Sequence, residues 1–280
     1  MSNLQVISSF LENDKVKEKF NNVLGKNSSA FLSSVLTVLS QNELLAKASK
    51  ESVYSAALMS ATLNLPINQN LGFAYIVPFK GQASFQLGYK GYLQLAQRSG
   101  QFKTISATPI YEGQIISKNP LTGYEFDFEN RESDKVIGYA AYFELLNGFN
   151  KTLYMSVEDI TNHAKKYSQT FKKGFGVWKD NFESMAQKTV LKLLLSKYAP
   201  LSVEMQKAVV SDGAVINDVD TLDVDYIDNT TDSIDVIQND QEVEEVRSYI
   251  SKAKTKEDLD LLRPKAEQLG LLDELESKKL

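Results

Sequence analysis

The stretch FQLGYKGYLQLAQRSG, Phe85 to Gly100, sets three side chains able to meet a phosphate along one helical face. Lys90, Gln94 and Arg98 stand at i, i+4 and i+8, a spacing that stacks them on the same side of a helix. At a helical rise of 1.5 Å per residue, the two cations lie about 12 Å apart, comparable with a two-nucleotide step along a strand. Gly88 and Gly91 fall near the start of the same helix, where unpaired amides and the dipole favour an anion. Glycine in a helix interior costs about 1 kcal/mol relative to alanine, so the pair marks a close approach. Two readings account for it. Either a sugar-phosphate chain passes over the helix, or a neighbouring strand of the protein packs against it and Lys90 and Arg98 are solvated.

A second stretch, HAKKYSQTFKKGFGVWKD (163–180), alternates cations with rings. Lys165, Lys166, Lys172 and Lys173 interleave with Tyr167, Phe171, Phe175 and Trp178, and Gly174 and Gly176 mark a loop. Single strands are held in this way, with cations on phosphates and rings under bases, and such stacking is worth about 1–3 kcal/mol per base. The alternative is an exposed basic loop whose aromatics tuck into the core, and Trp178 and Phe175 fit packing roles. Lys188 and Lys192 share a face of the next helix, with Lys197 near its end. Lys80 and Lys103 flank the hairpin and helix around residues 80–100 and extend a possible groove.

Enzymatic chemistry finds little support. The run LGKNSS at 24–29 lacks the leading glycine of a phosphate-binding loop and the hydroxyl residue after its lysine. His163 is the single histidine, so no two-histidine metal site exists, and a helix-surface residue is its simplest reading. The Asp218, Asp220, Asp223, Asp225 run lacks the glycine and closing glutamate of a calcium loop and reads as linker. No carboxylate pair stands out as a nuclease site. No catalytic residue, cofactor or metal is expected.

The chain has 280 residues, 42% of them apolar, and no cysteine. That suits one substantial domain with a smaller companion and a reducing compartment. The first twenty residues lack an apolar signal-peptide core, and no run approaches the roughly 18 apolar residues of a membrane span. A soluble cytoplasmic protein without membrane contact is expected. The net charge of −5 averages unlike halves, because residues 1–210 carry +6 and residues 211–280 carry −11. Such asymmetry suggests a nucleic-acid surface with an acidic tail.

The first 65 residues carry helical patterns through Phe20, Val23 and Leu24, then Phe31, Leu32, Val35, Leu36 and Leu39, then Val53, Ala56, Ala57, Met59 and Leu63, up to Pro66. A β-rich middle follows. FAYIVPF (73–79) and QASFQL (82–87) flank Lys80-Gly81 as a hairpin. Residues 104–117 are β-branched but interrupted by Pro109 and Gly113, and EFDFE (125–129) alternates. VIGYAAYFELL (136–146) places Ile137, Tyr139, Ala141, Phe143 and Leu145 on one face and turns at Asn147-Gly148 into KTLYMS (151–156). Ser156 with Asp159 opens a helix to about Lys166. A last core helix spans about 179–197, with Phe182, Met185, Ala186, Leu193 and Leu194 inward. Helices, a strand meander and helices again make an α+β domain over 1–210. Residues 211–245 hold twelve acids and no Lys or Arg, which predicts a flexible acidic linker over 211–240. Periodicity resumes over 241–280 as a small helical bundle.

Two segments resemble a known family. NLPINQNLGFAYIVPFKGQASFQLGYKGYLQLAQRSG (64–100) resembles the hallmark segment of the RecT family of phage and prophage recombinases, which anneal single-stranded DNA. FGVWKDNFESMAQKTVLKLLLSKY (175–198) resembles its second signature, a tryptophan, an acidic-aromatic turn and a Met-Ala-x-Lys-Thr helix. The likeness covers about residues 15–210, with both motifs in order. It implies the annealing fold shared with Redβ of phage λ, a short antiparallel β-meander crossed by a long helix. It implies an ATP-independent annealer, not an enzyme, that assembles as a homo-oligomer, in rings or helical filaments, and holds single-stranded DNA and then the annealed duplex in a basic groove. By the resemblance, DNA contacts fall on Lys80, Gln86, Tyr89, Lys90, Arg98, Lys103, Lys188 and Lys192. It further implies a nucleoid-associated protein of a bacterial host. The 241–280 module would recruit the host single-strand-binding protein and a phage exonuclease. A metal-dependent nuclease and a structural duplex-binding protein are the competing classes.

Overall fold

The computed structural model describes residues 2–226, except 120, 173 and 175 and the side chains of 169 and 170. The chain divides after residue 227, and the first unit is the one described below. The expected 241–280 bundle and the linker from 227 to 240 lie outside the described residues.

Four helices open the unit: α1 (Asn3–Leu11), α2 (Asp14–Leu24), α3 (Ser28–Ser40) and α4 (Lys50–Thr62). Side-chain caps start three of them. Ser2 and Gln5 form a capping box, Asn13 Oδ1 accepts from Lys15 N–H, and Ser49 Oγ accepts from Ser52 N–H. Helix α4 is enclosed by α1, α2 and a sheet, and Ser55 to Ala61 are all buried along it. Small side chains permit that close packing, and the buried Ser52 and Ser60 hydroxyls have partners. Ser52 Oγ takes the Ala83 amide at 2.8 Å, and Ser60 Oγ donates to the Leu65 carbonyl at 2.8 Å.

Strands β1 (Ala74–Phe79) and β2 (Gln82–Leu87) form the expected hairpin. Lys80 at φ 45° and Gly81 at φ 76° supply the two left-handed residues of a type I′ turn. Helix α5 (Tyr89–Arg98) follows. A second sheet has the order β3-β6-β7, from β3 (Phe102–Tyr111), β6 (Val136–Leu145) and β7 (Asn150–Ser156), all antiparallel. Its buried face carries Tyr139, Ala141, Phe143 and Leu145, as the alternation predicts. Pro109 does not interrupt β3, because β3 is an edge strand and needs no outward amide. Between β3 and β6, β4 (Ile115–Asn119) and β5 (Gly123–Phe126) form a separate two-stranded arm.

Ser156 and Asp159 make the predicted capping box of α6 (Val157–Tyr167). The glycine-containing loop then holds two single-turn helices, α7 (Gln169–Lys172) and α8 (Val177–Asp180). Trp178 is buried there, packed between Phe171 and Phe182 at ring separations of 6.1 and 5.8 Å. Helix α9 (Phe182–Tyr198) lies against β3, β6, β7 and α5, which is the expected meander crossed by a long helix. Val190, Leu191 and Leu195 hold its core face with Ala186 and Leu194, while Leu193 is only half-buried.

The expected linker fails over 211–226. Helix α10 (Val203–Ser211) runs into β8 (Ala214–Asp218) and β9 (Asp223–Tyr226), and β8 pairs with β2 to give a sheet ordered β1-β2-β8-β9. Ala214, Val215, Ile216 and Val219 are buried. The neighbouring acids work at the hairpin turn. Asp218 accepts from the amide and hydroxyl of Thr221 at 2.7 and 2.9 Å, and Asp220 pairs with Lys19 of α2 at 3.3 Å. Counting charge over 211–245 merged a buried strand with the tail beyond it.

A protein ending at residue 227 is therefore expected to melt cooperatively near the temperature of the full chain. One ending at residue 210 loses the β2–β8 pairing and gives no cooperative melt by circular dichroism. Equal melting of the two would refute this boundary.

Candidate nucleic-acid interface

The two glycines at the start of α5, Gly88 before it and Gly91 within it, answer to the protein's own backbone. A Cβ on Gly88 would stand 2.1 Å from the Gly72 carbonyl oxygen, and one on Gly91 would stand 2.2 Å from that of Phe73. Gly88 N–H donates to Phe73 O at 2.8 Å. The segment leading into β1 thus fills the notch where a sugar-phosphate chain was the other reading. Arg98, with 27% of its side chain exposed, is likewise engaged by the protein's own backbone. Its guanidinium donates to the Leu63 and Asn64 carbonyls at 2.6 and 2.7 Å, with Glu204 3.9 Å away. These oxygens close the C-terminal end of α4, where helical carbonyls lack partners and Asn64 adopts φ 49°. The row Lys90, Gln94, Arg98 is therefore no open stripe: Lys90 is exposed, Gln94 is half-buried, and Arg98 ties α5 to α4.

The strongest cationic arrangement sits on α9. Lys188 and Lys192, one turn apart, both reach the buried Asp212, whose side chain is 3% exposed. Asp212 Oδ1 accepts from Leu87 N–H at 2.9 Å and Lys188 Nζ at 3.3 Å. Its Oδ2 accepts from the Tyr92 hydroxyl and Lys192 Nζ, both at 2.7 Å. Burial alone would raise the Asp212 carboxyl, but the two ammoniums, with the Lys192 and Tyr92 hydrogen bonds, hold it well below the usual carboxylate range. Burial lowers Lys188 against the pull of Asp212, with Lys192 adding to the lowering. Burial and the adjacent Asp212 push the Tyr92 phenol well up. The lysines keep 14% and 33% of their side chains exposed.

The end of α6 adds two more cations, and one of them bears on the same ring as Lys192. Lys165 and Lys166 are exposed. Lys166 lies over the Tyr167 ring at 5.3 Å, and that ring stands 4.6 Å from His163. Burial first, then Lys192 and Lys166, lower the His163 imidazole below its ordinary value, so cations of α6 and α9 bear on one ring. Among the other sequence candidates, Tyr89 is half-buried and its hydroxyl accepts from Ala107 N–H at 3.3 Å. Gln86 is a half-buried β2 residue paired with Tyr75. Lys80 stands at the hairpin turn, 5.4 Å from the Phe79 ring. Lys103 bonds Glu144 at 2.8 Å on the surface, a pairing of small energetic weight. Lys172 is exposed in α7, and Lys173 lies outside the described residues.

Asp212 was missed because it falls inside the supposed linker. A signal was present in EMQKAVVSDGAVIND, where a helical run ends at a left-handed Gly213 (φ 84°) and an apolar triplet follows. Among the described residues no group of three or more His, Asp or Glu could hold a metal ion, and no helix is long and apolar enough to cross a membrane.

The RecT family profile matches residues 29–225, a span that ends with β9 and includes Asp212. The chain belongs to the RecT family. It is 49% identical over 230 residues, 82% of this chain and 78% of the relative, to the uncharacterized protein YqaK of Bacillus subtilis strain 168. It is 28% identical over 265 residues, 86% of this chain and 91% of the relative, to the RecT protein of Escherichia coli K12. Family membership supports a role in DNA recombination and strand annealing.

Arg98→Ala is expected to destabilise the fold by about 1–3 kcal/mol through the unpaired carbonyls it leaves. The salt dependence of nucleic-acid binding by the folded variant should stay as in the parent. A chemical denaturation curve and a salt titration check both, and a slope lowered by about one unit would return Arg98 to the phosphate contacts.

Proposed function

We propose that this RecT-family chain is an ATP-independent single-stranded DNA annealing protein, not an enzyme. The strand is held through its phosphates by Lys188 and Lys192 of α9 with Lys165 and Lys166 of α6. The observation that carries this reading is the pair of α9 lysines fixed on a buried carboxylate, with the exposed Lys166 of α6 acting with Lys192 on the same His163 ring. Phosphate contacts give affinity without sequence preference. Bases left free can test a second strand by pairing, so complementarity is read by the nucleic acid. Pairing is downhill and needs no nucleotide hydrolysis. Each protomer offers few charges, and many copies along a strand supply avidity, which favours a homo-oligomeric groove. Residues 241–280 are assigned to recruitment of single-strand-binding protein or a partner exonuclease.

Two complementary labelled oligonucleotides at low ionic strength, without nucleotide, test this. Duplex formation should accelerate on adding the protein, and the strands should remain full length when magnesium is present. Lys192→Ala and Lys166→Ala should each weaken binding to all sequences and reduce the salt slope by about one unit. Shortened strands would point to a nuclease, and preference for preformed duplex would point to a structural binder.

A further inference from the structure

The Asp212 carboxylate is saturated. Each oxygen already takes two donors, from Leu87 N–H and Lys188 on one side and from Tyr92 and Lys192 on the other, which fills the lone-pair sites a carboxylate offers. Its one negative charge faces two ammoniums, so the cluster holds one cation in excess. Each ammonium has three N–H donors and gives one to Asp212, and Lys192 is a third exposed. A phosphodiester carries one negative charge and only acceptors. It would balance the cluster and take the N–H groups that Asp212 leaves over.

We propose that Asp212 is a positioning residue of the strand-binding site, keeping both α9 lysines charged and turned to a single phosphate that completes a two-anion, two-cation cluster. The proposal rests on the annealing reading above. Its physical basis is the cost of a charge away from water. Lys188 has 14% of its side chain exposed, and burial disfavours its ammonium there unless a counter-ion offsets the cost. Asp212 comes from the α10–β8 junction and reaches α9, α5 and the end of β2 in one step. It therefore sets the lysines against the hairpin and helix that precede them. Among the described residues, the titratable groups facing the pair are Asp212, Tyr92 and, beside Lys192, His163 with Lys166. Tyr92 stays protonated and His163 neutral above pH 7, because their shifts run upward and downward respectively.

The test is a salt titration of the full chain on a fluorescent oligothymidylate at about pH 7 and about pH 9. The parent slope is the reference at each pH. In Asp212→Asn, Lys188 loses the carboxylate that supports its charge, so the slope should fall below the parent's by up to about one unit, and further at the higher pH than at the lower. Asp212→Glu should restore the parent's slope at each pH. Lys188→Met should show the reduced slope at both values. If Asp212→Asn does not fold, Asp212→Asn/Lys188→Met removes the buried pair together, and it should match Lys188→Met at each pH. A parent-like slope at both pH values in Asp212→Asn, or a parent-like slope in the double variant, would overturn the proposal. A parent protein that does not bind the oligonucleotide would instead overturn the annealing reading.

Discussion

A carboxylate removed from water must find a donor for every lone pair, and this fold meets that demand at Asp212. Taking an ion into the interior costs several kcal/mol even after relaxation, and the Coulomb gain offsets it only with good geometry and complete hydrogen bonding. Four donors from β2, α5 and α9 converge on the two oxygens. Distant parts of the sequence are thereby fixed to one another: the end of the first hairpin, the helix after it, the long helix across the second sheet, and the α10–β8 junction. Apolar packing could join the same elements in more than one register. A saturated carboxylate accepts one, because a shift of any donor leaves a buried charge short of a partner.

The same logic separates scaffold from surface among the basic residues. Arg98 spends its guanidinium on carbonyls at a helix end, and Lys103 spends its ammonium on Glu144. Lys165 and Lys166 stand exposed, and Lys188 and Lys192 are held on an acid that they outnumber. What counts for an incoming anion is the local excess of cations over fixed partners. The two α5 glycines obey a similar rule, since a residue without Cβ marks contact and leaves open what is touched. Here it is the backbone at Gly72 and Phe73.

Much of the fold was legible in the sequence because it rests on local signals. The Lys80-Gly81 turn, the Ser156–Asp159 capping box, the alternation of β6 and the two signature segments each carry their mechanism within a few residues. Pro109 was misread because a proline is compatible with a strand only at an edge, and edge status follows from topology. The 211–226 segment was misread for a related reason. Several of its acids sit at or beside a hairpin turn and its apolar residues number only a few, so a composition window reports the tail that follows. The site was half legible. That Lys188 and Lys192 share a face comes from their spacing alone, but the acid that holds them is twenty or more residues away, and such a pairing leaves no trace in spacing.

The charge asymmetry of the chain acquires a more specific meaning from this geometry. Residues 1–210 carry only +6, too little to hold a polyanion by overall field, since exposed charges beyond about 8–10 Å are screened at physiological ionic strength. The proposed binding therefore draws on cations fixed close to the phosphate. The acids of 212–225 do not all oppose it: Asp212 organises two of those cations, and Asp218 and Asp220 build a turn and anchor it to α2. On the proposed function, a site with few, well-placed charges binds each phosphate weakly and holds a strand only through repetition along it. That is the regime annealing requires, because a protomer that gripped its strand too firmly would hinder the adjustment of register by which two complementary sequences find each other.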